Sequence, residues 1–244
     1  MCGFRPSSQI AFFLTNVCEF KEIVGKDIAQ SFIDNKDDPK QLKAVFTSVM
    51  TADKDKVTKQ VNTLIQRLEK EKIPPFEKDE DNKEKDKDKD KEEKADDKEK
   101  DKDFVRNIDI NELVIRLNKQ YPGDVGIFAA FMLNCFRLKP GEAVFLEANL
   151  PHAYLDGDCL ECMACSDNVV RAGLTPKLRD TPVLCEMLNY NASNPKIMTG
   201  IKIGEYSKQY RAGDNINEFR LDRIDINDGK KGTKECLEIN KIDG

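Results

Sequence analysis

The sequence carries one histidine, His152, in 244 residues. A lone imidazole is as readily a surface or satisfied core residue as a metal ligand. No stretch reaches the roughly 18 apolar residues that a membrane span requires, the longest candidate, 126–136, being broken by Asn134. The apolar run 10–14 is shorter than the core of a signal peptide. The expectation is a soluble cytosolic protein in which the Asn191-Ala192-Ser193 sequon is idle. An excess of one charge is also missing outside a single segment. The net charge is −5, and residues 77–103 alone, with ten Lys and fifteen acidic residues, supply all of it. The rest of the chain is balanced, which argues against an electrostatic grip on nucleic acid or an anionic membrane.

Eight cysteines are present, Cys2, Cys18, Cys135, Cys159, Cys162, Cys165, Cys185 and Cys236. Without an export signal they are expected to be thiols rather than a disulfide framework.

Apolar residues recur at spacings of three and four between 16 and 72: Ile23, Ile28, Phe32 and Ile33, then Leu42, Val45, Phe46 and Val49, then Val57, Val61, Leu64, Ile65 and Leu68. This pattern predicts three or four amphipathic helices, closed by Ile73-Pro74-Pro75. Residues 77–103 have no apolar face to bury and read as a disordered, solvated insertion. Helical spacing resumes over 109–117, so the insertion is expected to interrupt one helical unit. Gly3 and Pro6 punctuate a start, 1–15, that reads as the end of a strand or a loop. The pattern then turns to β: an apolar stretch at 126–138, a turn at Lys139-Pro140-Gly141-Glu142, and short strands at 143–146, 151–155, 159–164, 196–203 and 218–226. Strands joined by turns predict an antiparallel sandwich or small barrel.

Two clusters could carry chemistry. Cys159-x-x-Cys162-x-x-Cys165 has zinc-like spacing, but on a strand the middle thiol would face away from the other two, so buried inert thiols are the plainer expectation. In the polar cluster Glu161, Asp167, Asn168, Arg171 and Lys177, the arginine and the lysine suit an anionic oxygen such as a phosphate, and a structural ion-pair network would use the same residues.

The runs Gly123-Asp124-Val125-Gly126-Ile127-Phe128, Lys139-Pro140-Gly141-Glu142-Ala143, Pro151-His152-Ala153-Tyr154, Gly157-Asp158 and Glu161-Cys162-Met163-Ala164, with residues 166–177 and the short Gly3-Phe4-Arg5-Pro6, resemble the type I mannose-6-phosphate isomerase family. The resemblance implies a mainly β protein: a zinc-dependent, cupin-like (jelly-roll) β-sandwich with an inserted α-helical domain and a further, here truncated, C-terminal β domain. On that plan 1–15 and 121–190 are parts of the catalytic domain, 16–120 the helical insertion and 191–244 the start of the last domain. It implies interconversion of mannose 6-phosphate and fructose 6-phosphate through a cis-enediol, feeding GDP-mannose synthesis. His152 resembles a zinc ligand and Arg171 the essential catalytic arginine. Tyr154, Glu161, Asp167 and Lys177 resemble substrate-binding residues. The implied partner is a small sugar phosphate, and the full-length enzyme is expected to be monomeric.

The family's other three zinc ligands, a Gln-x-His pair and a glutamate, precede its Gly-Phe-Arg-Pro element, and this sequence does not contain them. The expectation is therefore a chain incomplete at both ends, whose activity alone the resemblance does not secure. The alternative is a non-catalytic paralogue that binds sugar phosphate or a protein partner.

Overall fold

A computed structural model describes residues 1–76, 108–165, 168–213 and 216–225. The charged segment 77–103 and Asp167 lie outside the described residues.

A short strand, β1 (Cys2–Phe4), leads into five consecutive helices: α1 (Ser7–Asn16), α2 (Cys18–Val24), α3 (Lys26–Asp34), α4 (Pro39–Met50) and α5 (Lys54–Leu68). Helix α6 (Ile110–Gln120) packs on α5. Their sequences start them. Asp38, Asp53 and Asp109 each accept a hydrogen bond from a backbone N–H of the first turn, satisfying donors that a helix end leaves free. The buried faces are those set by apolar spacing: Leu42, Val45, Phe46 and Val49 in α4, and Val57, Val61, Leu64 and Leu68 in α5. The Asn111 carboxamide accepts from the backbone N–H of Ile73 at 2.9 Å, which ties α6 to the end of the α5 segment.

The chain start departs from the expected strand or loop over 1–15, because Ser7–Asn16 is helix. The expected strand over 126–138 is also corrected. Val125–Phe128 is a 3-10 turn, Ala129–Met132 is helix α7, and only Leu133–Asn134 is strand, β2. Every residue from 125 to 134 is buried. An element wrapped on all sides has no period by which helix and strand could be told apart.

β1 and β2 pair antiparallel with Cys2 opposite Asn134. The Asn134 amide nitrogen donates to the Phe4 and Ser193 carbonyls at 3.0 and 2.9 Å. The Arg5 guanidinium donates to the Ala130 carbonyl and lies 5.2 Å from the Phe13 ring centre. Thus the Gly-Phe-Arg-Pro element joins the helices to α7, β2 and the backbone at Ser193.

The remaining strands are short: β3 (Ala143–Val144) pairs with β4 (Ile197–Met198), and β5 (Ile201–Lys202), β6 (Ser207–Arg211) and β7 (Arg220–Ile224) form a three-stranded sheet. Helix α8 (Thr181–Met187) lies between β3 and β4 in the chain. Among the described residues helix exceeds strand, and the sheets hold two, two and three strands. The expected mainly β jelly-roll is therefore not assembled by these residues. Its absence has a visible physical counterpart. Among the described residues, the large apolar side chains left exposed lie at or beyond Leu138, Leu160, Val169 and Ile201 being examples. The helices and β1 close a core, and among the described residues the later strands do not close a second one.

No described helix is long and apolar enough to cross a membrane.

Candidate functional site

The site residues enter through the edge of β1. The backbone of 151–153 runs alongside it: Gly3 N–H donates to the Pro151 carbonyl, Ala153 N–H to the Met1 carbonyl, and Cys2 bridges His152. The expected strand over 151–155 is reduced to this single bridge. It is enough to fix the direction of two side chains. His152 and Tyr154, two residues apart on extended backbone, share a side, and their rings are centred 5.8 Å apart.

His152 is exposed, and its Nδ1 lies 2.9 Å from the Leu150 carbonyl. A carbonyl only accepts, so this contact is a hydrogen bond when Nδ1 carries the proton. The Nε2 lone pair then points away, free for an electrophile. The Tyr154 hydroxyl donates to a Glu161 carboxylate oxygen at 2.6 Å. Partial burial, the donated bond and the carboxylate charge together hold the Tyr154 phenol well above its ordinary pKa. It therefore remains a protonated donor across the physiological range.

Arg171 is half-buried and Lys177 exposed. Their segment is anchored to the helical core by one carboxylate. Asp124 accepts from Gly126 N–H at 2.7 Å and from Leu174 N–H at 2.8 Å. The backbones meet so closely there that a Cβ on Gly173 would sit 2.6 Å from the Gly126 Cα. Gly173→Ala is expected to cost about 1–3 kcal/mol by overpacking and to displace Arg171. A melt compared with that of Ala172→Gly, which creates no such clash, checks it.

The structure brings Tyr154 and Glu161 together and sets His152 beside them. Among the described residues no hydrogen bond or ion pair links Arg171 or Lys177 to that pair. The expected strand over 159–164 is absent, and Cys159, Cys162 and Cys165 are exposed rather than buried. The alternation argument against their convergence thus has no strand to act on. No described group of three or more His, Cys, Asp or Glu side chains is placed to hold a metal ion. His152 is a single suitable donor, so these residues do not by themselves fit a zinc site.

Asp124, Arg5 and Asn134 shape this region and were missed as structural anchors by sequence reasoning. Asp124 had a signal, an acidic side chain two residues before a buried glycine in a helix-start context. Asn134 had none, since it reads only as a break in an apolar run.

Residues 20–133 match the family model "Phosphomannose isomerase type I, helical insertion domain". The chain is 41% identical over 201 residues to mannose-6-phosphate isomerase of Macaca fascicularis, covering 80% of this chain and 41% of the relative. To that of Bos taurus it is 44% identical over 198 residues, covering 79% and 40%. To mannose-6-phosphate isomerase 2 of Arabidopsis thaliana it is 37% identical over 239 residues, covering 94% and 46%. The chain thus spans less than half the length of these relatives. It shares the fold of mannose 6-phosphate isomerase from Salmonella typhimurium, solved bound to substrate (F6P) and zinc, with a TM-score of 0.66 at 24% identity, over 91% of this chain and 46% of that one.

Proposed function

We propose that this chain, a member of the type I phosphomannose isomerase family, contributes the sugar-phosphate site of an enzyme that interconverts mannose 6-phosphate and fructose 6-phosphate. The observation that carries this reading is the 41% identity over 80% of the chain to mannose-6-phosphate isomerases. The Tyr154–Glu161 pair beside His152 supports it. In this reading 1–15 and 121–190 build a cupin-like catalytic domain around the helical insertion 16–120, and 191–244 belongs to a further β domain. The enzyme works in the cytoplasm and feeds GDP-mannose synthesis.

Isomerisation moves a proton between two adjacent carbons of the open-chain sugar through a cis-enediol. Arg171 is the catalytic residue: its guanidinium stabilises the negative charge that develops on the sugar oxygen as the C–H proton leaves. Lys177 meets the phosphate as a point charge. The Tyr154 hydroxyl spends its proton on Glu161, which orients that carboxylate and leaves its second oxygen to accept from a sugar hydroxyl. Asp167 completes the binding set. Zinc is the proposed cofactor, with His152 Nε2 as one donor, and no described group of three or more His, Cys, Asp or Glu side chains is gathered around it. A second reading is a non-catalytic relative that binds sugar phosphate through the same Tyr154–Glu161 pair.

Turnover of mannose 6-phosphate and binding of fructose 6-phosphate, measured on the zinc-supplied chain and on Arg171→Ala, decide between them. The isomerase reading expects turnover to fall by about 100-fold or more in Arg171→Ala with fructose 6-phosphate binding retained. Binding without turnover in a protein that also carries the remaining zinc donors selects the second reading. Failure to bind any sugar phosphate, or full turnover by Arg171→Ala, contradicts the site.

A further inference from the structure

The isomerase reading leaves three thiols unused. Cys159, Cys162 and Cys165 are free and exposed, in a stretch, 157–165, without helix or strand. Glu161, the acceptor of the Tyr154 hydrogen bond, lies between the first two, in the run Cys159-Leu160-Glu161-Cys162. We propose that Cys159 and Cys162 are a thiol-oxidation site, a dithiol that peroxide converts reversibly to a disulfide, and that closing it draws Glu161 off Tyr154.

The local structure permits the closure. A disulfide needs Cα atoms about 4.4–6.8 Å apart, whereas residues three apart on an extended strand stand about 10 Å apart. The pair must therefore turn at Leu160 and Glu161. Among the described residues no main-chain hydrogen bond holds 157–165, so the turn breaks no ladder. Leu160 is 87% exposed, so moving it uncovers no core. What the turn does disturb is the Tyr154–Glu161 contact, because Glu161 becomes a central residue of the closed ring. Of the other described cysteines, Cys2 and Cys185 are buried, Cys135 is half-buried, and Cys18 is exposed on a helix with no cysteine three residues away; Cys165 is exposed three residues from Cys162, but a ring closed between those two would not contain Glu161.

The chemistry closes on itself. One thiol gives up its proton, its thiolate attacks hydrogen peroxide, the O–O bond breaks, and a sulfenic acid forms while the leaving hydroxide takes that proton to give water. The second thiolate attacks that sulfur, the S–O bond breaks, and the released hydroxide takes a proton to give a second water. Two thiols and one peroxide thus become one disulfide and two waters, each sulfur losing one electron and the peroxide gaining two. A dithiol reductant reverses the step by exchange.

The pairing itself does not depend on the isomerase reading, and only its effect on substrate does. The chain is treated with equimolar hydrogen peroxide, alkylated with iodoacetamide and mapped by mass. The expected result is a Cys159–Cys162 link with the loss of two hydrogens, reversed by dithiothreitol, abolished by Cys159→Ser or Cys162→Ser and retained in Cys165→Ser. The second readout is tyrosine absorption. Losing a carboxylate acceptor shifts it to shorter wavelength on oxidation, and the shift is absent in Tyr154→Phe. Full alkylation of both thiols after peroxide, a link to Cys165 instead, or a link without the Tyr154 shift would each overturn the proposal. If the link and shift form while fructose 6-phosphate binding is unchanged, the oxidation site stands and the assignment of Tyr154 and Glu161 to substrate fails.

Discussion

Arg67→Ala lowers the stability of the chain by about 3–5 kcal/mol, the cost of stripping the partner from a buried charge. Glu19, in α2, has a side chain only 2% exposed, and both its oxygens accept from the Arg67 guanidinium, at 2.9 and 2.7 Å. This fork joins α2 to α5. Burial pushes the Glu19 carboxyl up, but the Arg67 fork, its own backbone N–H and the Cys18 thiol outweigh it, so its pKa lies below the ordinary glutamate value. A depressed folded value means that the pair's contribution is complete above about pH 4.5 and fades as pH falls through the folded value. In Arg67→Ala the burial is left unopposed by the guanidinium, so the gap between parent and variant narrows on acidification. Denaturant midpoints at pH 7 and pH 4 measure this directly. Replacing both residues together, Glu19→Leu with Arg67→Met, should recover most of the loss. No recovery would mean that packing, not the orphaned charge, sets the cost.

Phe4→Ala costs about 3–5 kcal/mol, as expected for deleting a fully buried aromatic side chain and leaving its cavity. Phe4 has no exposed surface. Its ring stacks on Tyr190 at 5.4 Å and meets the Phe46 ring edge-on at 5.5 Å. Phe46 belongs to α4, and Tyr190 comes just after α8, so one side chain joins β1, the helices and the later segment. A fall in the melting temperature should therefore be accompanied by loss of ordered signals around Tyr190. A drop confined to the helices would show that the later segment packs independently of β1.

The helices were legible because each buries one face. Three- and four-residue spacing, with Asp38, Asp53 and Asp109 as caps, is a local signal that tertiary packing only has to accept. Helix α8 was also legible and was overlooked: Asp180 caps it, and Pro182 stands in its first turn. The stretch 125–134 was not legible, because burial on every side erases the period. The candidate site was half legible. Residue types at 152, 154, 161, 171 and 177 suggested an anion-binding, metal-assisted site by resemblance. The Tyr154–Glu161 contact crosses an irregular loop for which no periodic rule exists. The anchoring of 171–174 rests on two glycine backbones in contact, which only three-dimensional structure displays. The expected strand over 159–164 failed for a related reason. Alternating apolar residues favour a strand only where a partner edge is present, and the described residues offer none there.

The most direct measurement of the central claim is an amide-resolved NMR titration of the chain with fructose 6-phosphate, against unphosphorylated fructose as control. The account predicts saturable shifts, specific to the phosphosugar, that cluster at 152–154, 161, 171 and 177 and lose their phosphate dependence in Lys177→Ala. Equal response to both sugars, or shifts gathered elsewhere on the helices, would contradict the placement of a sugar-phosphate site on this segment.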